Sequence, residues 1–315
     1  MQIQAISPLA ARIEANIARV IFGKERQIRL MLTALLAGGH LLLDDIPGTG
    51  KTTLVRALAA SVSAEAKRIQ FTPDLLPSDI TGINVFDPAA QRFTFRPGPI
   101  FANVIIADEL NRATPRTQSA LLECMGERQV TVDGVTYPLA APFFVAATQN
   151  PLESQGTFPL PEAQIDRFLM RISLGYPERD SERAMLDNHG VASPLSALAP
   201  VCTREEITAA AAAVRGVTVS DKVKGYILDL VAESRTSARV RLGVSPRGAL
   251  ALMHAAQAYA AIEGRDFVLP DDVRSVAVPV MAHRIISRSQ NAIRLNDTGE
   301  SIVELILDTV PAPID

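Results

Sequence analysis

The segment from position 47 to 53 combines residue types that could bind a polyphosphate. It follows an apolar run and opens a helix-forming stretch, which is the context of a phosphate-binding loop. Its glycines would let successive backbone N–H groups face one centre. Lys51 would bring a full positive charge to the β- and γ-phosphates of a nucleotide, and Thr52 would bring a hydroxyl group to Mg²⁺. The predicted loop residues are Pro47, Gly48, Thr49, Gly50, Lys51, Thr52 and Thr53.

The loop departs from the pattern G-x-x-x-x-G-K-[ST] at one position, because Asp45 stands where the first glycine is expected. Asp44 precedes it, and two carboxylates beside a polyphosphate would repel it. Either these side chains point away from the loop or the start of the loop has a different geometry. An ordinary glycine-rich turn before a helix is the alternative interpretation of the whole segment.

A second acidic pair follows the apolar run 104–107. Asp108 would hold Mg²⁺ directly or through water, and Glu109 would orient and polarise an attacking water. On its own, this pair could equally be a solvated acidic end of a strand. Its combination with the loop at 47–53 favours a nucleotide site with a bound metal ion.

Short apolar runs and helical patterns predict the elements that would position these residues. The runs at 41–43, 104–108 and 142–150 have the length and composition of buried parallel strands, with polar residues at their ends. Open α/β sheets bind ligands at that edge. From position 204 onward the pattern is helical. We therefore expect an α/β domain over 1–176, a connecting segment over 177–200 and a smaller helical domain over 201–315.

Composition excludes several classes of protein. The chain has 315 residues and a net charge of −3, which argues against a protein built mainly to coat nucleic acid or an anionic membrane. Hydrophobic residues make up 48% and charged residues 21%, which excludes disorder of the whole chain. The two cysteines are far apart, and the sequence shows neither a signal peptide nor a membrane-spanning run. We expect a soluble cytoplasmic protein.

Several stretches together resemble the AAA+ ATPases of the MoxR family, from about position 21 to 284. The resemblance implies a P-loop NTPase with an αβα parallel-sheet core and an all-helical lid, which uses ATP and Mg²⁺. The family tolerates the departure at Asp45. The matching stretches are DDIPGTGKTTL, GPIFANVIIADELNRATPRTQSALLECMGERQVTVDG, FFVAATQNPLESQGTFPLPEAQIDRFLMRI, VSPRGALAL and FVLPDDV.

The resemblance also assigns roles to single residues. Asn150 would be sensor 1, which holds the nucleophilic water together with Glu109 and hydrogen-bonds the γ-phosphate. Arg167 would be the arginine finger that enters the site of a neighbouring subunit. Arg247 would be sensor 2, which touches the γ-phosphate from the lid. The adenine would pack against Ile21, Phe22 and Gly23.

Each of these roles has a structural alternative. Asn150 could cap the loop before Pro151, Arg167 could form a surface ion pair with Asp166 or Glu162, and residues 21–23 could simply belong to the core. Arg112 is a weaker candidate for the subunit interface.

Two irregular insertions match further features of the family. The segment 71–99 corresponds to the helix 2 insert, and 129–137 corresponds to the pre-sensor 1 hairpin. Both would face the centre of a ring. Phe93, Phe95 and Tyr137 could grip a client protein there, although local packing is the more common role of aromatic residues in hairpins.

The resemblance implies a homo-oligomeric ring, a hexamer by analogy, in which Mg²⁺-dependent ATP hydrolysis drives maturation, remodelling or metal-cofactor insertion of a client protein. A partner with a von Willebrand factor A domain is also implied. Three alternatives remain: a magnesium-chelatase-like motor subunit, a nucleic-acid motor or loader, and a nonhydrolytic switch in which ATP only holds an assembly together. The net charge argues against the second, and the presence of Glu109 and Asn150 argues against the third.

Overall fold

The computed structural model describes residues 1–89, 91–149, 156–188, 194–288 and 298–313. Its strands are β1 (Leu41–Asp44), β2 (Ala66–Gln70), β3 (Gly82–Asp87), β4 (Arg92–Pro97), β5 (Val104–Asp108), β6 (Gln129–Val132), β7 (Val135–Pro138), β8 (Phe144–Gln149), β9 (Met170–Ile172), β10 (Val240–Leu242) and β11 (Ile286–Ser287). Its helices are α1 (Ile6–Ala18), α2 (Glu25–Leu36), α3 (Lys51–Ser61), α4 (Pro77–Thr81), α5 (Pro115–Glu127), α6 (Glu162–Ile165), α7 (Arg179–Asn188), α8 (Arg204–Val214), α9 (Asp221–Thr236), α10 (Pro246–Ile262), α11 (Pro270–Met281) and α12 (Gly299–Thr309).

A five-stranded parallel sheet organises the first part of the chain, in the order β2-β5-β8-β1-β9. Apolar side chains cover both of its faces, as strand β5 illustrates. Its alternate residues Val104 and Ile106 join an apolar cluster with α2 and α3, whereas Ile105 and Ala107 join a second cluster with α5. A strand buried on both faces needs apolar residues at consecutive positions, which explains the uninterrupted apolar run in the sequence.

Two antiparallel hairpins project from this α/β domain. Strands β3 and β4 pair from Gly82 opposite Pro97 to Asp87 opposite Arg92, within the insertion expected at 71–99. Strands β6 and β7 are joined at Asp133 and Gly134, whose φ angles of 49° and 81° are the positive values that a tight two-residue hairpin turn requires. The two hairpins touch where Asn84 Nδ2 donates to Asp133 Oδ2 at 2.7 Å.

Helices α8 to α12 form the second part of the chain. This confirms the predicted α/β core followed by a helical domain, with one correction to the expected all-helical lid: β10 and β11 pair as a short antiparallel ribbon. Strands of three and two residues are too short to produce a recognisable period in the sequence. The segment expected to connect the two parts, 177–200, contains helix α7.

One apolar cluster continues from the sheet and α1–α3 into the helical part, so the two parts share a core. A polar side chain of α1 also joins the first part to the connecting segment. Asn16 Nδ2 donates to Ser61 Oγ at 2.9 Å and to the carbonyl of Ala199 at 3.1 Å. Among the helices of the described ranges, none is long and apolar enough to cross a membrane.

Candidate functional site

The predicted phosphate-binding loop lies between the end of β1 and the start of α3. Gly48 and Gly50 have φ angles of 86° and 90°, values that a residue with a side chain rarely adopts. Gly50 is also the N-cap of α3 and offers no capping side chain. The first N–H groups of an eleven-residue helix therefore remain available to an anion, and the helix dipole favours negative charge there.

Lys51, the first residue of α3, turns its ammonium group back over the loop. Its Nζ donates to the carbonyl oxygens of Asp45 at 2.6 Å and Ile46 at 2.7 Å. These contacts keep the charge at the mouth of the loop, where phosphate oxygens would be stronger acceptors than neutral carbonyls.

The carboxylate of Asp45 points away from the loop, which resolves the departure from the phosphate-loop pattern. Its Oδ2 accepts hydrogen bonds from the backbone N–H groups of Leu174 and Gly175, both at 2.8 Å, and its Oδ1 accepts one from Ile46 N at 2.8 Å. The side chain is buried and saturated with donors. Asp45 therefore anchors the start of the loop to the segment that follows β9.

Its neighbour Asp44 lies in a different environment. Burial raises the pKa of this carboxyl, and the guanidinium of Arg171, 3.6 Å away, opposes the rise. Arg171 also pairs with Glu300 at the start of α12. The Asp44 carboxylate thus faces the helical part of the chain.

Asp108 and Thr52 come together as the sequence predicts. Thr52 Oγ1 lies 3.4 Å from Asp108 Oδ2, while Asp108 Oδ1 accepts a hydrogen bond from Thr148 Oγ1 at 2.6 Å. The Nε and Nη2 atoms of Arg68 lie 2.9 and 2.7 Å from Asp108 Oδ2. A hydroxyl and a carboxylate beside a phosphate loop are the oxygen ligands that Mg²⁺ prefers, so these residues fit that ion.

Glu109 is held in a strained backbone conformation at the end of β5. Its φ of 56° is unusual for a residue with a side chain, and its N–H donates to Thr148 Oγ1 at 2.9 Å. Its Oε2 accepts a hydrogen bond from Gln70 Nε2 at 2.7 Å and pairs with Arg112 Nη1 at 3.0 Å. The carboxylate is therefore engaged by two neighbours beside the loop.

Sequence reasoning missed Arg68, Gln70 and Thr148. Their positions in the strands place them at the site: Gln70 ends β2 directly opposite Asp108 of β5, and Thr148 lies near the end of β8. Polar residues at the carboxyl ends of neighbouring parallel strands are the sequence signal for such site residues. Strand β2 was not recognised, since its sequence AKRIQ carries a buried isoleucine between exposed or half-buried polar residues.

Two adjoining cavities surround the loop and share several of its residues. A cavity of ≈ 350 Å³ is lined by charged and polar groups beside the loop, namely Lys51, Thr52, Asp108, Glu109, Thr148 and Gln149. A cavity of ≈ 490 Å³ is lined by Ile21, Phe22, Tyr176, Pro177, Met185 and Leu195 on its apolar side. A polar end that continues into an apolar end matches the phosphates and base of a nucleotide.

Of the residues expected around an adenine, Ile21 and Phe22 line the apolar cavity. Gly23 is instead a point of close approach between two segments. Its φ is 65°, and a Cβ atom there would lie 2.2 Å from Ser181 Oγ of α7. The glycine allows α7 to close over this end of the site.

Arg167 lies near the amino-terminal ends of the parallel strands, whereas the phosphate loop of the same chain follows the carboxyl-terminal end of β1. It precedes β9, whose first residue Met170 pairs with Leu41 at the start of β1, whereas Lys51 follows the other end of β1. Its Nη1 donates to the carbonyl of Leu122 at 2.7 Å. The ion pair with Asp166 considered from the sequence does not form, because Asp166 pairs with Arg284 at 2.6 Å.

Arg247 is exposed in the first turn of α10 and lines neither cavity at the loop. Its expected contact with the γ-phosphate stays a prediction. The adjacent N-cap, Ser245, donates its hydroxyl to Asp166 Oδ2 at 3.1 Å. Arg247 thus lies near the segment that carries Arg167. Asn150, the expected sensor 1, falls outside the described residues, and β8 before it ends at Gln149 in the charged cavity.

The aromatic residues of the two hairpins divide into two groups. Phe95 stacks on Tyr137 with ring centroids 4.1 Å apart, so local packing accounts for both. Phe93 instead has 69% of its surface exposed and touches the half-exposed Phe86 edge to face at 5.4 Å. Of the three expected client contacts, Phe93 is the exposed one, whereas Phe95 and Tyr137 are half-buried.

Comparisons with known proteins agree with this geometry. The sequence profile of the "ATPase family associated with various cellular activities (AAA)" matches residues 40–170, and that of the "AAA lid domain" matches residues 232–306. The chain is 38% identical to "Chaperone MoxR1" of Mycobacterium tuberculosis, over 95% of this chain and 81% of that protein. It is 48% identical to YeaC of Bacillus subtilis, over 98% and 96% of the two chains.

A solved structure from Cytophaga hutchinsonii superposes with a TM-score of 0.89 at 36% identity, covering 99% of this chain and 97% of that one. The match includes both the sheet domain and the helical domain. With the phosphate loop, the paired acidic residues and the lid in one chain, the protein belongs to the MoxR family of AAA+ ATPases.

Proposed function

We propose that this ATPase works as a ring of identical subunits, with Mg²⁺ and with an ATP site completed by the neighbouring subunit, and that it remodels a client protein. The position of Arg167 carries this proposal. In an ATPase of this type an arginine stabilises charge on the transferring phosphoryl group. Arg167 cannot do so in its own chain, because it lies at the opposite end of the parallel strands from the phosphate loop. A neighbouring chain that presents Arg167 to the loop removes the difficulty, and a ring closes such contacts.

The groups of one chain have separate roles in this proposal. The loop N–H groups and Lys51 bind the phosphates, and Ile21 and Phe22 receive the base. Thr52 and Asp108 hold Mg²⁺, which when bound neutralises charge on the phosphate oxygens. Glu109 orients the attacking water once it leaves Gln70. Asn150 is proposed as its partner in holding that water.

Arg247 is proposed to act beside Arg167 on the same neighbouring site. Ser245 at the start of α10 and Arg284 after α11 both bind Asp166, the residue before Arg167. A lid movement would therefore change the position of both arginines together. Hydrolysis in one subunit is thereby linked to the orientation of the next.

The client side of the proposal rests on the relatives and on the exposed Phe93. MoxR1 is named a chaperone, and we extend chaperone-like remodelling or maturation to this chain. Phe93 and Phe86 supply exposed apolar surface on the β3–β4 hairpin. A partner with a von Willebrand factor A domain is part of the proposal through the family resemblance, and the assembly is proposed to be a hexamer.

A complementation experiment tests the shared site. Rings of Arg167→Ala alone and of Glu109→Gln alone should each lose ATP turnover by about 10²-fold or more. In an equimolar mixture, about one contact in four would join an intact Glu109 site to an intact Arg167. Turnover should then recover to about a quarter of the wild-type value.

The matched control mixes Glu109→Gln with Lys51→Ala, because both changes damage the same half of the site. That mixture should stay inactive. Co-assembly of each mixture is verified by light scattering. If the first mixture assembles and shows no recovery, the site is not shared through Arg167 and the ring mechanism is wrong.

A further inference from the structure

Arg68 is a charged residue of the site that neither the phosphate loop nor the acidic pair requires. It lies on β2, the edge strand of the sheet, two residues before Gln70. Both its Nε and its Nη2 contact Asp108 Oδ2, at 2.9 and 2.7 Å. The next residue toward the N-terminus, Lys67, points to the other face and pairs with Glu65 at 3.2 Å.

The oxygen that Arg68 contacts is the one that faces Thr52. Thr52 Oγ1 lies 3.4 Å from the same Oδ2 atom, whereas Oδ1 is bound by Thr148. A metal ion held by Thr52 and Asp108 would need Oδ2. A guanidinium and a divalent cation at the same oxygen repel each other, so they compete for that position.

We propose that Arg68 is the resident counterion of Asp108 in the nucleotide-free protein and that Mg²⁺ displaces it when Mg·ATP binds. The inference rests on the proposed Mg²⁺ site at Thr52 and Asp108. Arg68 is a positioning residue here: it neutralises and orients the carboxylate before the metal arrives. Its side chain is 52% exposed, so it can swing into solvent without disturbing the core.

The side chain of Gln70 connects Arg68 to Glu109. Arg68 Nη2 donates to Gln70 Oε1 at 2.7 Å, and the amide nitrogen of the same Gln70 donates to Glu109 Oε2 at 2.7 Å. When Arg68 leaves, Gln70 loses the partner that fixes its amide orientation. The arrival of the metal ion thus loosens the hold on the residue that orients water.

The test with metal alone uses Mg²⁺ and nucleotide-free protein. The variant Arg68→Gln exposes Asp108 to the metal, so millimolar Mg²⁺ should raise its thermal midpoint while leaving that of the wild type unchanged. Lys67→Gln is the matched control, since it removes one positive charge from the adjacent position, and it should behave as the wild type. A variant that responds to Mg²⁺ no more than the wild type contradicts the inference.

The second test measures ATP affinity with Mg²⁺ and with EDTA. Arg68→Gln should weaken ATP binding in EDTA but not in Mg²⁺, so that the ratio of the two dissociation constants rises about two- to five-fold, as expected for a half-exposed ion pair. Arg68→Lys should restore most of the wild-type ratio. Equal weakening under both conditions would make Arg68 a phosphate ligand and overturn the inference. If the ATP affinity of the wild type were the same in Mg²⁺ and in EDTA, the proposed metal site would be wrong as well.

Discussion

At the scale of single residues, Thr148 organises the acidic end of β5. One hydroxyl donates to Asp108 Oδ1 and accepts from the backbone N–H of Glu109, at 2.6 and 2.9 Å. The side chain is only 2% exposed. The strained backbone of Glu109 therefore depends on a residue of the neighbouring strand β8.

Replacing Thr148 with valine keeps the shape and removes both hydrogen bonds. The buried N–H of Glu109 is left without an acceptor, so the free energy of unfolding should fall by about 1–3 kcal/mol. ATP turnover should fall more than ATP affinity, because Glu109 loses its fixed orientation. Urea unfolding and turnover measurements check both effects. Thr131→Val, in the exposed β6–β7 hairpin, is the control and should change neither.

At the scale of elements, the side chain of His40, just before β1, connects this strand to β8 and α5. Its Nδ1 accepts from Val145 N of β8 at 3.1 Å, and its Nε2 donates to the carbonyl of Met125 of α5 at 3.2 Å. This arrangement needs a neutral ring. Burial accordingly lowers the pKa of His40 from 6.5 to about 4.

The lowered pKa predicts a pH-dependent stability. The unfolded chain takes up a proton near pH 6.5 and the folded chain does so only near pH 4, so stability is complete above 6.5 and decreases as the pH falls toward 4. At pH 5 the loss from His40 should be about 2 kcal/mol. His40→Gln should be less stable at pH 7 but lose less between pH 7 and pH 5. Equal slopes for both proteins would contradict the assignment. His283 and His254, whose pKa values are also lowered by burial, keep some slope in the variant.

The sequence was informative about elements wherever local chemistry decides the structure. The phosphate loop and the apolar runs of β5 and β8 could be predicted, because glycine conformations and burial on both faces leave a local pattern. Strand β2 and the β10–β11 ribbon were not, since long-range pairing alone defines them. The direction of the Asp45 carboxylate was undecided for the same reason, because its donors lie about 130 residues away.

At the scale of the whole molecule, Arg284 joins the helical part to the segment just before β9. Its side chain is 3% exposed, and its Nε lies 2.6 Å from Asp166 Oδ1. Its Nη2 donates to the carbonyls of Asp166 at 3.2 Å and Phe168 at 2.6 Å, and its Nη1 donates to Leu169 at 3.2 Å. One guanidinium from the lid thereby holds the backbone on both sides of Arg167.

This contact could not be foreseen from spacing, since Asp166 and Arg284 are 118 positions apart in the sequence. It nevertheless decides how Arg167 is presented. If the ring mechanism holds, the arginine that serves a neighbour is oriented by the lid of its own chain. A movement of the lid in one subunit would then change the position of Arg167 at the next site.

Arg284→Met tests this connection. The change leaves the Asp166 carboxylate and several carbonyls without their donor, so the free energy of unfolding should fall by about 3–5 kcal/mol. Asp166→Asn separates stability from function, because the amide oxygen still accepts from Arg284 and the amide nitrogen can donate to the Ser245 hydroxyl, while the negative charge of the ion pair is removed. This milder variant should stay folded and bind ATP normally, while the rise of turnover with subunit concentration should be reduced. An Asp166→Asn protein whose turnover per subunit rises with concentration as in the wild type would show that the lid does not position Arg167.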